Sequence, residues 1–176
     1  MVTTRRSKQA SEPAAGAPAR TSPAGPRTTF SLSEDETYEL GRAMGRSLRG
    51  GELILLEGDL GLGKTVFARG VAAGLGVRPE DVSSPSFTLV QEYKGGRQPL
   101  FHVDLYRLDD PDDLGTLGLE EILSGGGVVL VEWAEKLPPY LRRDAIAVRF
   151  HDVGEGSRQI EIETSQKPAA RPRGDA

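Results

Sequence analysis

One stretch of the sequence combines residue types that bind phosphate groups. The glycines in it allow the backbone to curl until its N–H groups point inward at anionic oxygens. A lysine after them supplies a point charge to the β- and γ-phosphates, and a following hydroxyl can reach Mg²⁺. The pattern G-x-x-x-x-G-K-[ST] is met by the run Gly58-Asp59-Leu60-Gly61-Leu62-Gly63-Lys64-Thr65. We therefore predict that residues 58–65 form a phosphate loop in contact with a nucleotide.

Two carboxylates each follow a short apolar run. Asp104 comes after residues 100–103, and Glu132 comes after residues 128–131. In a parallel α/β sheet, a buried strand of this kind delivers an acid to the edge where phosphates and Mg²⁺ bind. An acid at a strand end is often only solvated, but two such acids in a chain with a phosphate loop favour a magnesium site.

Three further features lie near these groups along the chain. Residues 83–88, Ser-Ser-Pro-Ser-Phe-Thr, occupy the place of switch I in P-loop proteins. Their hydroxyls could meet the γ-phosphate or a water, and a plain polar turn is the alternative. His102 stands beside Asp104, and we expect its imidazole to face the other way from the strand, packed or in solvent. Trp133, the only tryptophan, could stack near the nucleotide or a partner, or serve the core.

Missing residue types narrow the chemistry. The chain contains no asparagine, so it lacks the usual guanine-reading motif N-K-x-D, and ATP is the favoured nucleotide. It contains no cysteine either, which excludes disulfides, zinc–thiolate sites, iron–sulfur clusters and a cysteine nucleophile. With two histidines in all, a His-rich metal site is not expected.

The elements that must position these residues follow from periodicity and turn signals. Ser33 and Glu36 form a capping box that predicts a helix through Leu48. We predict buried strands over residues 52–57 and 127–132, a helix over 64–75, hairpins over 87–106 and 145–163, and a short acidic helix after Pro111. The fold class is α/β, a P-loop NTPase-like three-layer sandwich whose central sheet is mostly parallel with antiparallel hairpin members.

The chain ends differ from the middle in composition and charge. Residues 1–28 and 165–176 hold few large apolar groups, so we expect disordered tails around one domain over residues 29–164. Residues 1–29 carry a net charge of +4 and residues 165–176 carry +2, so the total of −4 leaves −10 on the rest. An acidic core is a poor platform for a phosphate backbone. No run suits a membrane span or secretory signal, so we expect a cytosolic protein.

Four blocks of the sequence, in this order and spacing, resemble the TsaE (YjeE) family, the bacterial ATPase of tRNA threonylcarbamoyladenosine biosynthesis. The blocks are residues 57–65, 84–90, 102–107 (His-Val-Asp-Leu-Tyr-Arg) and 131–133 (Val-Glu-Trp). The resemblance implies a small protein that binds ATP or ADP with Mg²⁺ and hydrolyses ATP weakly by itself. It also implies partners, TsaB and TsaD, which transfer a threonylcarbamoyl group to an adenosine beside the tRNA anticodon. Hydrolysis would reset their complex, so tRNA contact would be indirect.

The resemblance also implies roles for single residues. Carried over by position, Thr65 and Glu132 are the magnesium ligands. Asp104 is needed for hydrolysis, and Lys64 is a further catalytic residue. Trp133 matches a functionally important position.

Three more residues fall where the family contacts the nucleotide base. They are Glu34 and Thr37 at the start of the first helix, and Arg158 in the last hairpin.

Two other functions use the same phosphate loop. A small-molecule kinase would need an acceptor pocket and a lid with several arginines over the phosphates. Arg107, Arg142, Arg143 and Arg149 lie late enough in the chain for a lid, but they form no recognisable motif. A nucleotide-gated binding module would change its docking with nucleotide state, and its turnover would be incidental. Stimulation of hydrolysis by partner proteins separates the enzyme from that module.

Overall fold

The computed structural model of the protein describes residues 25–108, 114–115 and 117–164. Its strands are β1 (Arg27–Ser31), β2 (Leu53–Glu57), β3 (Val90–Tyr93), β4 (Leu100–Asp104), β5 (Val128–Glu132), β6 (Ile146–Gly154) and β7 (Ser157–Thr164). They form one sheet in the order β1-β7-β6-β2-β5-β4-β3. The neighbours β6, β2, β5 and β4 are parallel, while β3, β7 and β1 join through antiparallel pairs. The mostly parallel sheet with antiparallel members is thus confirmed.

The α-helices of the described residues are α1 (Glu34–Ser47), α2 (Lys64–Leu75) and α3 (Leu119–Ser124). The Ser33 hydroxyl accepts a hydrogen bond from the Glu36 N–H at 3.1 Å. In return, the Glu36 carboxylate accepts from the Leu32 N–H at 2.7 Å, one residue earlier than in the usual capping box. The bounds of α2 match the prediction. None of these helices is both long and apolar enough to cross a membrane.

The elements form three layers, as the sequence predicts. On one face of the sheet, α1 and α2 pack over side chains such as Ile54 and Leu56. On the other face, α3 and the chain after β5 pack over Leu55 and Val129. Because β2 and β5 are covered on both faces, they read as continuous apolar runs.

The first strand was missed from the sequence. β1 begins at Arg27, two residues inside the segment 1–28 for which a disordered tail is predicted. Its partner is β7 at the other end of the chain, with Arg27 opposite Ile162, so no local pattern announces it. The remaining tail predictions, over residues 1–24 and 165–176, lie outside the described residues.

Several predicted bounds also shift. The strand expected from residue 87 begins only at Val90, because residues 86–88 form a turn. The helix expected after Pro111 is α3, which starts at Leu119; Pro111 itself is outside the described residues. The last hairpin spans residues 146–164 and not 145–163. It turns at Glu155 and Gly156, where φ is 53° and 75°, the left-handed pair that suits a two-residue turn.

The first and last strands meet at one corner of the sheet. Thr164, at the end of β7, lies opposite Ile146 at the start of β6, while Arg27 at the start of β1 lies opposite Ile162. Since β6 runs parallel to β2, this corner is at the end of the sheet away from the loop that follows β2.

Helices α1 and α2 approach each other through glycines. A Cβ on Gly70 would lie 2.1 Å from the Tyr38 carbonyl oxygen, and one on Gly41 would lie 2.2 Å from the Phe67 carbonyl oxygen. Both obstacles are backbone atoms, which cannot rotate away. The close contact fixes α2, and with it the loop that opens α2, against α1.

We expect Gly70→Ala to destabilise the protein, although alanine is the better helix former. Helix propensity favours alanine by about 1 kcal/mol, but overpacking costs roughly 1–3 kcal/mol and here meets backbone. The free energy of unfolding, measured in urea, should fall by about 1–2 kcal/mol.

Gly125→Ala is the matched control. Gly125 has φ −76°, and its added Cβ would meet nothing nearer than 3.4 Å, so a change within about 0.5 kcal/mol is expected. Equal stability of the two variants would contradict the packing account.

Candidate functional site

The loop at residues 58–65 joins the end of β2 to the start of α2, as the motif predicts. Gly58, Gly61 and Gly63 have φ values of 133°, 84° and 92°, a region in which other residues are strained. A Cβ on Gly63 would lie 2.8 Å from Nη1 of Arg158, so the Arg158 side chain packs close to this glycine. α2 begins at Lys64, so its first backbone N–H groups, which lack partners within the helix, open onto this loop.

Lys64 is folded back over its own loop. Its Nζ donates to the carbonyl oxygens of Gly58 at 2.5 Å and Asp59 at 2.7 Å. The same nitrogen lies 4.0 Å from the centre of the Trp133 ring, a cation–π distance. Burial lowers the pKa of Lys64 from its usual value, and nearby carboxylates, Glu132 first, oppose that shift. The Trp133 ring thus lies beside Lys64 and also packs against the apolar core on the α3 face, so its role at a nucleotide stays a prediction.

The two strand-end acids lie side by side. In the parallel pairing of β4 with β5, Asp104 stands opposite Glu132. Both are buried, at 2% and 3% exposure. A buried charge is costly unless hydrogen bonds compensate for it, so the partners of each carboxylate determine what it can do.

Glu132 is held by a hydroxyl and an imidazole. The Thr65 hydroxyl lies 3.0 Å from Oε1 and 3.1 Å from Oε2 of Glu132. Nε2 of His102 lies 2.9 Å from Oε1. The two residues named as metal ligands are therefore in direct contact, although 67 positions separate them in sequence.

The expected direction of His102 was wrong, although the imidazole is packed as one of the two alternatives predicted. Residues two apart on a strand share a face, so His102 points the same way as Asp104 and not the opposite way. It is buried at 1% exposure and contacts Glu132. The repeat of two was the signal that should have placed it in the site.

Asp104 is tied to the segment 83–88. Its Oδ2 accepts hydrogen bonds from the hydroxyls of Ser84 and Ser86, both at 2.6 Å. Its Oδ1 accepts from the Tyr106 N–H at 2.9 Å. The segment is therefore more than a plain polar turn, because two of its hydroxyls anchor it to the strand-end acid.

The three residues that the resemblance places at the nucleotide base lie in two different positions. Glu34 lines the cavity beside the loop. Thr37 is fully buried behind the loop, where its hydroxyl lies 2.7 Å from the Ser31 hydroxyl and accepts from Arg158 at 3.3 Å. Arg158 also donates to the Gly156 carbonyl oxygen at 2.6 Å. Through Gly63, Arg158 contacts the back of the loop.

A cavity of about 430 Å³ unites most of these groups. Of the predicted residues it is lined by Glu34, Leu60, Gly61, Gly63, Lys64, Thr65, Asp104, Glu132 and Trp133. Gly58, Asp59 and Leu62 line a separate opening of about 460 Å³ on the β6 side. The loop therefore presents different residues to its two sides.

The cavity wall also contains Phe87, Tyr106 and Arg107, which were not predicted as site residues, although Arg107 was considered for a kinase lid. Phe87 is 84% exposed, and the Arg107 guanidinium lies 4.3 Å above its ring. The Tyr106 ring packs against Trp133 with 5.0 Å between ring centres. Tyr106 and Arg107 follow Asp104 closely in the sequence, so the residues just after a strand-end acid are candidates for the same cavity wall.

The arrangement suits a bound anion and a hard cation. A helix start with a lysine beside it attracts phosphate oxygens, and an alcohol next to a carboxylate is an oxygen ligand pair of the kind that Mg²⁺ takes.

Comparisons with known proteins agree on one family. The family model described as "Threonylcarbamoyl adenosine biosynthesis protein TsaE" matches residues 31–160. The protein from Nostoc sp. named tRNA threonylcarbamoyladenosine biosynthesis protein TsaE is 44% identical over 137 residues, covering 76% of this chain and 83% of its own. The protein of the same name from Aquifex aeolicus is 43% identical over 131 residues, covering 74% and 90%.

A solved structure shows the same fold. The crystal structure of YdiB from Bacillus subtilis superposes with a TM-score of 0.64 at 32% identity, covering 82% of this chain and 88% of that one.

We expect Lys64→Ala to weaken ATP binding at least about tenfold, since a hydrogen bond to a charged group contributes roughly 1.5–3 kcal/mol. Isothermal titration calorimetry with ATP measures the change. Lys94→Ala, which removes an exposed lysine paired with Glu92, is the control and should bind as the parent does. Equal affinities for all three proteins would contradict the assignment of the loop.

Proposed function

This chain belongs to the TsaE family of threonylcarbamoyl adenosine biosynthesis proteins, and we propose that it is the Mg²⁺-dependent ATPase of that modification system. In this proposal ATP hydrolysis resets a complex of TsaB and TsaD between rounds of threonylcarbamoyl transfer to tRNA. The contact of Thr65 with Glu132 carries the proposal, because it joins the end of the phosphate loop to a buried acid.

The nucleotide is ATP. Residues 58–65 surround its phosphates, and Lys64 exchanges its bonds to Gly58 and Asp59 for bonds to the β- and γ-phosphates. Charged phosphate oxygens are stronger acceptors than carbonyls, so this exchange is favourable. No asparagine is available for the usual reading of guanine.

Thr65 and Glu132 would hold a magnesium ion. The donors fit the ion, because both are hard oxygen ligands, and Mg²⁺ typically takes one or two carboxylates together with phosphates and water. When bound, the ion neutralises charge that develops on the β- and γ-phosphate oxygens. Glu132 keeps its contact with the Thr65 hydroxyl, which orients the hydroxyl oxygen for the ion.

Asp104 serves the attacking water. A carboxylate offers roughly four lone-pair positions, and Ser84, Ser86 and the Tyr106 N–H occupy three of those on Asp104. The remaining position is on Oδ1, and Asp104 lines the same cavity as Lys64. This carboxylate orients a water toward the γ-phosphate.

The partners hold the tRNA. Away from its ends the chain carries a net charge of −10, which disfavours direct binding of a phosphate backbone. A cytosolic ATPase that acts through TsaB and TsaD has no need of a basic face.

A small-molecule kinase is the second candidate. Arg107 favours it, because it lines the cavity without a carboxylate partner in the described part of the chain. A kinase would pass the γ-phosphate to an acceptor in place of water.

We expect the purified protein to release phosphate from ATP with Mg²⁺. The Glu132→Ala variant should release it more slowly by a factor of about 10–100 or more, because even the loss of a residue that only supports a metal ligand usually has an effect of that size. Glu121→Ala changes an exposed acid on α3 and should leave the rate unchanged. Nucleotide affinity in EDTA should be similar in all three proteins. Unchanged turnover in Glu132→Ala would contradict the metal assignment.

Adding TsaB, TsaD and tRNA should raise the rate of phosphate release, since the partners complete the working complex. The rate is measured with each component omitted in turn. A rate that ignores the partners would contradict the resetting role, and transfer of the phosphate to a small molecule would establish the kinase. Nucleotide-dependent docking without stimulated turnover would indicate a binding module.

A further inference from the structure

We propose that His102 is a positioning residue that holds the Glu132 carboxylate against Thr65 and so sets the affinity of the site for Mg²⁺. The inference rests on the proposed function, since it concerns the same metal ion. It adds a residue from a different strand, one that binds neither the nucleotide nor the ion.

The geometry places His102 behind Glu132. The imidazole is 1% exposed and comes from the middle of β4, while Glu132 ends the neighbouring strand β5. Its Nε2 lies 2.9 Å from Oε1 of Glu132, and the Thr65 hydroxyl lies 3.0 Å from that same oxygen. The carboxylate is therefore held from two sides.

Hydrogen-bonding capacity fixes the tautomer of the imidazole. An ionised carboxylate can only accept, so the Nε2 of His102 carries the proton and donates it to Glu132. Nδ1 is buried and finds no hydrogen-bond partner among the described residues. With the proton on Nε2, Nδ1 is a bare acceptor, which avoids a buried N–H without a partner. A single hydrogen bond, directed at Glu132, thus remains for the ring.

This hydrogen bond matters because the Glu132 side chain can adopt several conformations. A glutamate side chain turns about three bonds, and ordering it costs entropy. With the Thr65 hydroxyl as the only donor, the carboxylate could rotate about that contact. A second donor from a rigid, buried ring fixes the carboxylate plane before a metal arrives, as partners of metal ligands generally do.

A purely structural histidine is the competing explanation. Loss of such a residue would lower stability and would affect nucleotide binding equally with and without Mg²⁺. A positioning role instead predicts a change confined to Mg²⁺. The two explanations therefore differ in whether nucleotide binding is also weakened in EDTA, where Mg²⁺ is absent.

The test uses His102→Gln and His102→Asn. The glutamine amide nitrogen reaches about as far as Nε2 of histidine and can donate to Glu132, whereas the asparagine nitrogen reaches only as far as Nδ1. Both are polar amides, so the pair differs mainly in reach.

Fluorescence of Trp133 reports occupancy, because it is the only tryptophan and its ring lies beside Lys64. ADP is titrated in EDTA, and MgCl₂ is then titrated at a fixed ADP concentration.

We expect all three proteins to bind ADP alike in EDTA. The MgCl₂ concentration at half effect should rise about 10–100-fold in His102→Asn and should stay near the parent value in His102→Gln. A parent-like value in His102→Asn, or an equal rise in both variants, would overturn the positioning role while leaving the proposed function intact. If Mg²⁺ leaves ADP binding by the parent unchanged, the magnesium site itself is overturned, and the role of His102 with it.

Discussion

A carboxylate buried at the end of the inner strand β5 constrains the structure around it. Glu132 is 3% exposed, and an unpaired charge at that depth would cost several kcal/mol or more. Its hydroxyl partner stands on α2 and its imidazole partner on β4. Strand order, register and helix position therefore have to agree closely enough to keep both contacts within hydrogen-bond range. An error in the fold at the candidate site would leave this charge without a partner.

The conformation of the loop at residues 58–65 depends in turn on the helices and the arginine packed against it. The glycine contacts between α1 and α2 fix the helix that carries Lys64 and Thr65. Arg158, from the last strand, touches Gly63 and reaches Thr37 on α1 across 121 positions of sequence. The conformation of residues 58–65 is thus supported by both ends of the chain, which explains how a loop rich in glycine can keep a defined shape.

Local patterns predicted what is locally determined. The bounds of α2 follow from the motif and from Gly76, and β2 and β5 follow from their apolar runs. Two strand-end acids were placed correctly at one edge, because parallel neighbours end together. What failed depends on pairing between distant segments. β1 has no signal apart from β7, and the bond from His102 to Glu132 depends on the register of β4 against β5. The turn before β3 is bound to Asp104 through two serine hydroxyls, a contact that no pattern within residues 83–93 contains.

The corner where β1 starts and β7 ends is electrostatically separate from the loop at residues 58–65. Residues 1–29 carry a net charge of +4 and residues 165–176 carry +2, and both segments join the body at that corner. The corner is separated from the phosphate loop by the length of β2, about 16 Å at roughly 3.3 Å per residue. That is about twice the screening length of roughly 8 Å at physiological ionic strength. A charge held at that corner therefore contributes little to the potential at the loop, which is set by the residues around the loop.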